Sequence, residues 1–232
     1  MARKTNFAPG EFYHVYNRGT DRRKIFLLRS DYDRFLSLLY LSNSSEPVHL
    51  GNIRRLKSYR GSTSVKSYFS IEKGTPLVEI AAYCLMPNHF HVLVREIQEG
   101  GISRFMQKLV TGYTMYFNKR HERTGVLLQG KFRATHAAGD EYLKYLISYI
   151  HLNPVKLIDV NWKEHGIKDK KYAEKYLDSY KYSSYLDYCG KERAESMIIH
   201  KNILPDYFST PKIFKESVTE WLTYKNTEVE PR

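Results

Sequence analysis

The sequence predicts an α+β domain built on an antiparallel sheet, because two apolar periodicities alternate along the chain in a defined order. Alternating apolar residues indicate strands, and apolar residues recurring every three to four positions indicate helices. They occur in the order strand, helix, strand, strand, helix, strand, and a further helix follows. This βαββαβ order is typical of a ferredoxin-like sheet with two helices on one face. The other face is then available to the added helix.

The first third of the chain supplies one strand and one helix. Residues 12–18 read as a strand that Gly19 ends. Residues 30–41 read as a helix that begins at a serine–aspartate pair. Residues 43–76 are rich in serine, glycine and lysine, and we interpret them as an insertion or a long mobile loop.

The middle of the chain predicts a hairpin and a long helix. Residues 77–86 and 89–96 are apolar strand segments separated by Pro87 and Asn88, which favour a tight turn. Residues 102–120 follow as an amphipathic helix. Its apolar stripe consists of Ile102, Phe105, Met106, Leu109, Val110, Tyr113 and Phe117.

The last predicted elements are a short strand at 131–136 and a helix at 140–152, which Pro154 helps to stop. We place the boundary of the main domain at 155. Residues 156–232 are rich in lysine and tyrosine, with a helical patch at 213–222. We interpret them as a C-terminal extension that contacts DNA.

Charge favours a polyanionic partner. Lysine and arginine number 37 against 25 aspartates and glutamates, a formal net charge of +12. Such a surface raises the local concentration of nucleic acid. Twenty tyrosines also provide rings that can stack on unpaired bases.

Cellular location follows from what the sequence lacks. Cys84 and Cys189 form no metal-ligand or redox pattern, and we find no secretory signal or membrane-spanning apolar run. We therefore expect a bacterial cytoplasmic protein associated with the nucleoid, with no membrane partner.

A pair of histidines forms the first candidate site. His89 and His91 stand two apart on a predicted strand, so both side chains project from the same face. Phe90, Val92 and Val94 then face the helices. Two neutral imidazoles so placed can bind one divalent ion, although two unrelated surface histidines would give the same pattern.

Tyr149 and Asn153 lie one turn apart on the helix 140–152, so a hydroxyl and an amide oxygen face the same region. Two imidazoles and the amide oxygen can hold Mg²⁺ or Mn²⁺ with open positions for a phosphate. A tyrosine beside that ion can attack phosphorus and form a covalent phosphotyrosine. Tyr142 and Tyr145 lie on the same stripe, where we interpret them as core-edge residues.

Four motifs, together with a further run at 182–185, resemble one family in both their residues and their order along the chain. The run from Met86 to Leu93 (MPNHFHVL) resembles the His-hydrophobic-His motif of single-tyrosine transposases of bacterial insertion sequences. The run from Tyr149 to Val155 (YIHLNPV) resembles the nucleophile helix of the REP-associated tyrosine transposase branch. The runs 13–19 (YHVYNRG), 129–133 (QGKFR) and 182–185 (YSSY) are similar to that branch, although Leu128 stands where many relatives carry tryptophan.

The resemblance implies a dimeric ferredoxin-like enzyme that cleaves single-stranded DNA beside a hairpin, leaving a 5′-phosphotyrosine and a free 3′-hydroxyl. By position, it implies that Tyr149 is the nucleophile. It implies that His89, His91 and Asn153 bind the metal. A monomer stays possible, and neither the target sequence nor the subunit on which the nucleophile helix docks can be read from the chain.

Several further residues are candidates for contact with DNA. The candidates on the first strand would contact a DNA phosphate or would only terminate the strand. The others would contact the DNA backbone or would form an ordinary solvent-exposed charged face. They are His14, Asn17, Arg18, Arg104, Lys108, Lys131 and Arg133.

Three other functions are compatible with the same residues. A replication initiator or relaxase would share the chemistry. A domesticated transposase that only binds REP sequences would keep the fold without cleavage. A metal-dependent hydrolase would need the histidines but would tolerate Tyr149→Phe.

Overall fold

The computed structural model describes residues 6–47 and 65–222. Its centre is a four-stranded antiparallel sheet in the order β2-β3-β1-β4. The strands are β1 (Phe12–Arg18), β2 (Val78–Met86), β3 (His89–Glu96) and β4 (Arg133–His136). With helical crossovers after β1 and β3, this is the predicted ferredoxin-like arrangement.

Seven α-helices and six 3-10 turns surround the sheet in the described part of the chain. The helices are α1 (Arg29–Leu41), α2 (Gly101–Arg120), α3 (Asp140–Leu152), α4 (Trp162–His165), α5 (Lys170–Leu177), α6 (Tyr185–Tyr188) and α7 (Pro211–Glu220). The 3-10 turns are Thr20–Arg22, Val65–Ser70, Asn153–Leu157, Ala194–Ile198, Lys201–Ile203 and Asp206–Phe208.

Helices α1 and α2 cover one face of the sheet. The ring of Phe35 on α1 lies 4.9 Å, centroid to centroid, from Phe90 on β3 and 4.9 Å from Tyr113 on α2. The predicted stripe of α2 is buried, apart from the half-buried Val110. Alternation along β3 therefore sends Phe90 toward the helices, as its pattern predicted.

Helix α3 packs on the opposite face, against β2 and β3. Its core residues Leu143, Leu146, Ile147 and Ile150 are buried. The α-helix ends at Leu152, where the chain tightens into the 3-10 turn that contains Pro154. The added helix thus takes the position that the sequence left for it.

The fourth strand is shorter than the sequence predicted. Lys131, predicted to open the fourth strand, lies before it, because β4 pairs with β1 only from Arg133 to His136. Gly130 has a φ of 65°, which turns the chain before pairing begins. Of the predicted insertion 43–76, residues 48–64 lie outside the described residues.

Residues 156–222 pack onto the domain and cover the free edge of β2. The backbone N–H of Leu85 donates to the carbonyl of Tyr182 at 2.9 Å, and that of Ser184 donates to the carbonyl of Tyr83 at 3.0 Å. The YSSY run thereby satisfies backbone groups that an open edge would expose. Within residues 6–47 and 65–222, no helix is long and apolar enough to span a bilayer.

The predicted helical patch at 213–222 corresponds largely to α7. This helix contacts α3, and the Trp221 ring that follows it lies 5.2 Å from the ring of Tyr145. The last ten residues of the chain, 223–232, lie outside the described residues. The C-terminal segment therefore braces the helix that carries Tyr149.

Candidate active site

The two histidines of β3 meet on the face that α3 covers. Antiparallel pairing sets Arg18 of β1 opposite His89 and Tyr16 opposite His91. The two imidazole rings stand perpendicular, with centroids 4.9 Å apart. Because alternate residues share a face, His14 also projects into this region, beside Tyr16.

The imidazoles of His89 and His91 each have a polar neighbour at the Nδ1 atom. Nδ1 of His91 lies 2.8 Å from Nε2 of His14, and Nδ1 of His89 lies 2.6 Å from Oδ1 of Asn88. With the Nδ1–H of His89 donating to Asn88, its Nε2 keeps a lone pair. Nε2 of His91 is buried and has no hydrogen-bond partner among the described residues.

Burial keeps these rings neutral. It lowers the pKa of His14 to about 3 and, with Lys156 and Arg18 adding to it, the pKa of His89 to about 4. The pKa of His91 falls well below its ordinary value, mainly through burial and then through neighbouring His14, His89, Lys163 and Lys156. A neutral imidazole is the form that ligates a metal.

Tyr149 approaches the histidines from α3. Its half-buried ring stands edge-on to His91, with centroids 5.6 Å apart, and lies 6.0 Å from the ring of His14. Asn153, one turn later, is buried and donates through Nδ2 to the carbonyl of Tyr149 at 2.8 Å. That bond assigns the amide oxygen of Asn153 as the atom able to bind a cation.

The donor set suits a divalent metal. The unpartnered Nε2 of His91 and the lone pair on Nε2 of His89 are borderline ligands, and the amide oxygen of Asn153 is a hard one. Nowhere in the described ranges do three or more histidine, cysteine, aspartate or glutamate side chains cluster in a way that could hold a metal. A metal here would therefore need oxygens from Asn153 and from a substrate phosphate.

Two of the basic candidates, Arg18 and Arg133, lie on the face of the histidines, and a third, Lys131, lies before β4. Arg18 acts electrostatically on His89, and Arg133 pairs with Tyr16 across the β1–β4 ladder, so it shares the face of the site. Lys131 is exposed in the bend just before β4. Arg18 and Arg133 therefore carry positive charge on the same face of the sheet as the histidines.

Two candidates on β1 are placed differently from the expectation of DNA contact. His14 is 1% exposed and contacts His91, which suits support of that ring better than contact with a phosphate. Asn17 pairs with Phe90 and therefore points away from the histidines, donating to the carbonyl of Gly130 at 3.2 Å. It holds the 129–133 loop against the strand end.

Arg104 and Lys108 lie on α2, in the layer opposite the histidines. The ammonium of Lys108 donates to the carbonyls of Ser44 and Glu46, at 2.5 and 2.9 Å. Lys108 thus fastens the loop after α1, while Arg104 is exposed on the same helix. Neither side chain is brought to the site.

Two lysines near the site were missed by the sequence analysis. Lys156 lies in the 3-10 turn after α3, and Lys163 lies in α4, where its ammonium sits 3.9 Å from the centroid of the Tyr149 ring. Both act on the pKa of His91. Lys156 stands seven residues after Tyr149, a helical spacing that could have pointed to it, although the helix type changes once between them. Two changes of helix type separate Lys163 from Tyr149, so no periodicity marks Lys163.

Comparisons with known proteins agree with this architecture. Residues 54–153, which contain both histidines, Tyr149 and Asn153, match the family model described as "Transposase IS200 like". This part of the chain is therefore similar to that family, which is the family that the motifs resemble. A search of curated proteins found no match.

A solved structure shares the fold. It is described as "Structure of the REP associates tyrosine transposase bound to a REP hairpin". It is 14% identical, with a TM-score of 0.50, over 84% of this chain and 90% of that one. The likeness extends well beyond the family-matched segment and includes much of the C-terminal region.

Proposed function

We propose that this protein is a DNA transposase that binds hairpin-forming single-stranded DNA and cleaves and rejoins it through Tyr149. The observation that carries the proposal is the edge-on placement of the Tyr149 ring 5.6 Å from His91, in a segment that is similar to the IS200-like transposase family. The structural relative bound to a REP hairpin supports a hairpin as the DNA partner.

The chemistry is a phosphoryl transfer between two oxygens. The hydroxyl of Tyr149 loses its proton to solvent and attacks phosphorus, forming the Oη–P bond. The P–O3′ bond breaks, and the 3′ oxygen takes the electron pair and a proton to become a free hydroxyl. The 5′-phosphotyrosine keeps the ester, so a second 3′-hydroxyl can reverse the step and rejoin strands without a nucleotide cofactor.

The metal would be held by His89, His91 and Asn153. A bound Mg²⁺ or Mn²⁺ supplies positive charge that polarises the scissile phosphate. His14 holds the ring of His91 in place. Arg18 and Arg133 bind flanking phosphates, and we expect the protein to act as a homodimer in the bacterial nucleoid, as the family resemblance implies.

The test is covalent capture of DNA. The protein is incubated with Mg²⁺ and labelled single-stranded DNA that carries the palindrome flanking its own gene, and products are separated on denaturing gels. We expect an adduct that Tyr149→Phe, His91→Ala and a chelator each abolish. Tyr142→Phe, which removes a hydroxyl seven residues before Tyr149 on the same helix, is the matched control and should form the adduct normally.

Two of the alternative functions predict different results in this assay. Cleavage that survives Tyr149→Phe without any adduct would indicate a metal-dependent hydrolase. Tight hairpin binding with no cleavage in Mg²⁺ or Mn²⁺ would indicate a domesticated DNA-binding protein.

A further inference from the structure

Asn88 connects the histidine strand to the loop that follows β1. It lies in the turn between β2 and β3, where its backbone carbonyl accepts the N–H of Gly19 at 2.8 Å. Its half-buried side chain makes one contact in each direction. Oδ1 lies 2.6 Å from Nδ1 of His89, and Nδ2 donates to the backbone carbonyl of Arg22 at 3.3 Å.

The loop after β1 holds that carbonyl in a defined position. Asp21 and Arg22 have φ angles of 54° and 57°, in the left-handed region that residues other than glycine seldom adopt. Each such residue costs about 1 to 3 kcal/mol and persists only where its surroundings enforce it. Here the N–H of Arg22 donates to the carbonyl of Gly19 at 3.0 Å, and that of Arg23 donates to the carbonyl of Thr20 at 3.1 Å.

Gly19 is required at the start of this loop by space. A Cβ at Gly19 would lie 2.2 Å from the carbonyl oxygen of Arg23. The backbone can therefore fold back tightly after β1 only with glycine at this position. This close approach explains the glycine that ends the YHVYNRG run, and the asparagine of the MPNHFHVL run binds the same loop.

The two side-chain contacts of Asn88 depend on each other. A carbonyl only accepts hydrogen bonds, so the amide nitrogen of Asn88 faces Arg22 and the amide oxygen faces His89. The amide oxygen also only accepts, so Nδ1 of His89 carries the proton of the neutral ring. Nε2 then keeps its lone pair. With the amide reversed, Nδ2 would donate to Nδ1, and the proton would occupy Nε2.

We propose that Asn88 is a positioning residue that holds His89 in its Nδ1–H tautomer, and that the carbonyl of Arg22 fixes the orientation of Asn88. A neutral imidazole without such a partner favours the Nε2–H tautomer, which has no lone pair on Nε2 for a cation. The inference rests on the proposed function in taking His89 as a metal ligand. The tautomer itself is measured without metal.

The experiment is long-range ¹H–¹⁵N correlation NMR of the histidine rings in the metal-free full chain at neutral pH. A protonated ring nitrogen resonates well upfield of an unprotonated one, and His89→Gln identifies the signals of His89. Wild type should show Nδ1–H. Asn88→Ala should shift the ring toward Nε2–H, whereas Asn88→Asp, which keeps an acceptor, should retain Nδ1–H.

A second pair of variants tests the loop. Arg22→Gly and Arg22→Val remove the same charge, but only glycine adopts a φ of 57° without strain. The valine variant should displace the carbonyl, release the amide of Asn88 and mix the tautomers of His89. The glycine variant should retain Nδ1–H. Equal tautomer populations in the two variants would overturn the role of the loop.

Folding is checked by the unfolding midpoint of each variant. Asn88→Leu, which is close to asparagine in size, carries the test if Asn88→Ala is destabilised. An Nε2–H tautomer in wild type would overturn the proposal. So would an Nδ1–H tautomer that persists when residue 88 has no acceptor.

Metal binding distinguishes this inference from the proposed function. Electron paramagnetic resonance of free Mn²⁺ gives the affinity in a Tyr149→Phe background, with the DNA of the capture assay present. Asn88→Ala should weaken Mn²⁺ binding by about 10- to 100-fold. An affinity that His89→Ala lowers but Asn88→Ala does not would overturn the positioning role and leave the metal site standing. A tautomer that depends on Asn88, in a protein that binds no Mn²⁺, would do the reverse.

Discussion

Nε2 of His14 lies 2.8 Å from Nδ1 of His91, across the central pair of strands. Both rings are buried. If His91 ligates a metal through Nε2, its Nδ1–H donates to Nε2 of His14, and the tautomer and orientation of His91 are set by a neighbour on β1. Partners of this kind tune metal sites nearly as strongly as the ligands do.

The first prediction concerns this positioning residue. His14→Ala should raise the Mn²⁺ concentration needed for half-maximal adduct formation by about 10- to 100-fold. Hairpin binding in chelator should be unchanged, because His14 is 1% exposed. His14→Gln, which keeps an acceptor, should recover part of the loss. An unaltered metal requirement in His14→Ala would contradict the role.

The second prediction contrasts two glycines of α2. A Cβ at Gly101 would overlap the backbone carbonyl oxygen of Leu77, whereas one at Gly112 would meet Leu38 Cδ2 at 3.4 Å. Gly112→Ala should therefore stabilise the protein by up to about 1 kcal/mol through helix propensity. Gly101→Ala should destabilise the protein, because the backbone at Leu77 or Gly101 must move to make room for the new methyl group. Urea unfolding measures the free energy of unfolding of both variants. Equal changes in the two would contradict the close approach of Gly101 to the backbone of Leu77.

The third prediction concerns the buried ion pair that holds the C-terminal segment. Arg193 binds Asp187 at 2.7 Å and also donates to the hydroxyl of Tyr83, at 2.6 Å. The side chains of Arg193 and Asp187 are 12% and 0% exposed. Arg193→Met should lower the free energy of unfolding by about 3 to 5 kcal/mol, because it leaves a buried carboxylate unpaired.

The control for that prediction is an exposed ion pair on α7. Lys212 and Glu216 lie 3.9 Å apart with side chains 84% and 59% exposed. Lys212→Met should change the free energy of unfolding by less than about 0.5 kcal/mol. Similar losses in the two variants would show that the burial of Arg193 carries no special weight.

The fourth prediction concerns pH and His151. Burial lowers the pKa of His151 to about 3, and its Nε2 lies 2.7 Å from Oγ of Ser184. The unfolded chain takes up this proton near pH 6.5, while the folded protein does not. The contribution to stability is therefore full above pH 6.5 and is lost as pH falls toward 3, by up to about 1.4 kcal/mol per pH unit.

A comparison with His151→Gln isolates this effect. Urea unfolding at pH 7.5 and pH 5 gives the free energy of unfolding of each protein. The stability advantage of wild type over the variant should shrink on acidification. A gap that stays constant between the two pH values would contradict the assignment to His151.

The sequence predicted the bounds of strands and helices well where a periodic pattern ends at a residue that breaks secondary structure. Strands β1 and β3 and helix α3 have the predicted bounds, since alternation or an apolar stripe stops at glycine, proline or aspartate. The start of the fourth strand was wrong at Lys131. The alternation continues there, but the chain bends at Gly130 and Lys131, so the ladder with β1 begins only at Arg133 although β1 itself continues to Arg18.

Part of the site was predictable because regular spacing along a strand or a helix places side chains on one face. His89 and His91 share a face by strand geometry, and Tyr149 and Asn153 share a helix face by helical spacing. The contact of His14 with His91 depends on which strand becomes the neighbour of β3. Lys163 reaches Tyr149 only through the packing of α4, and periodicity carries no information about it.

The covering of the β2 edge by residues 182–184 has a consequence for synthesis on the ribosome. The bond between Tyr83 and Ser184 joins residues 101 apart in the chain. At roughly 5 to 20 residues per second, β2 emerges about 5 to 20 s before the segment that seals it. During that interval the nascent sheet offers an open strand to any neighbouring chain, so slow translation of the C-terminal third should favour aggregation.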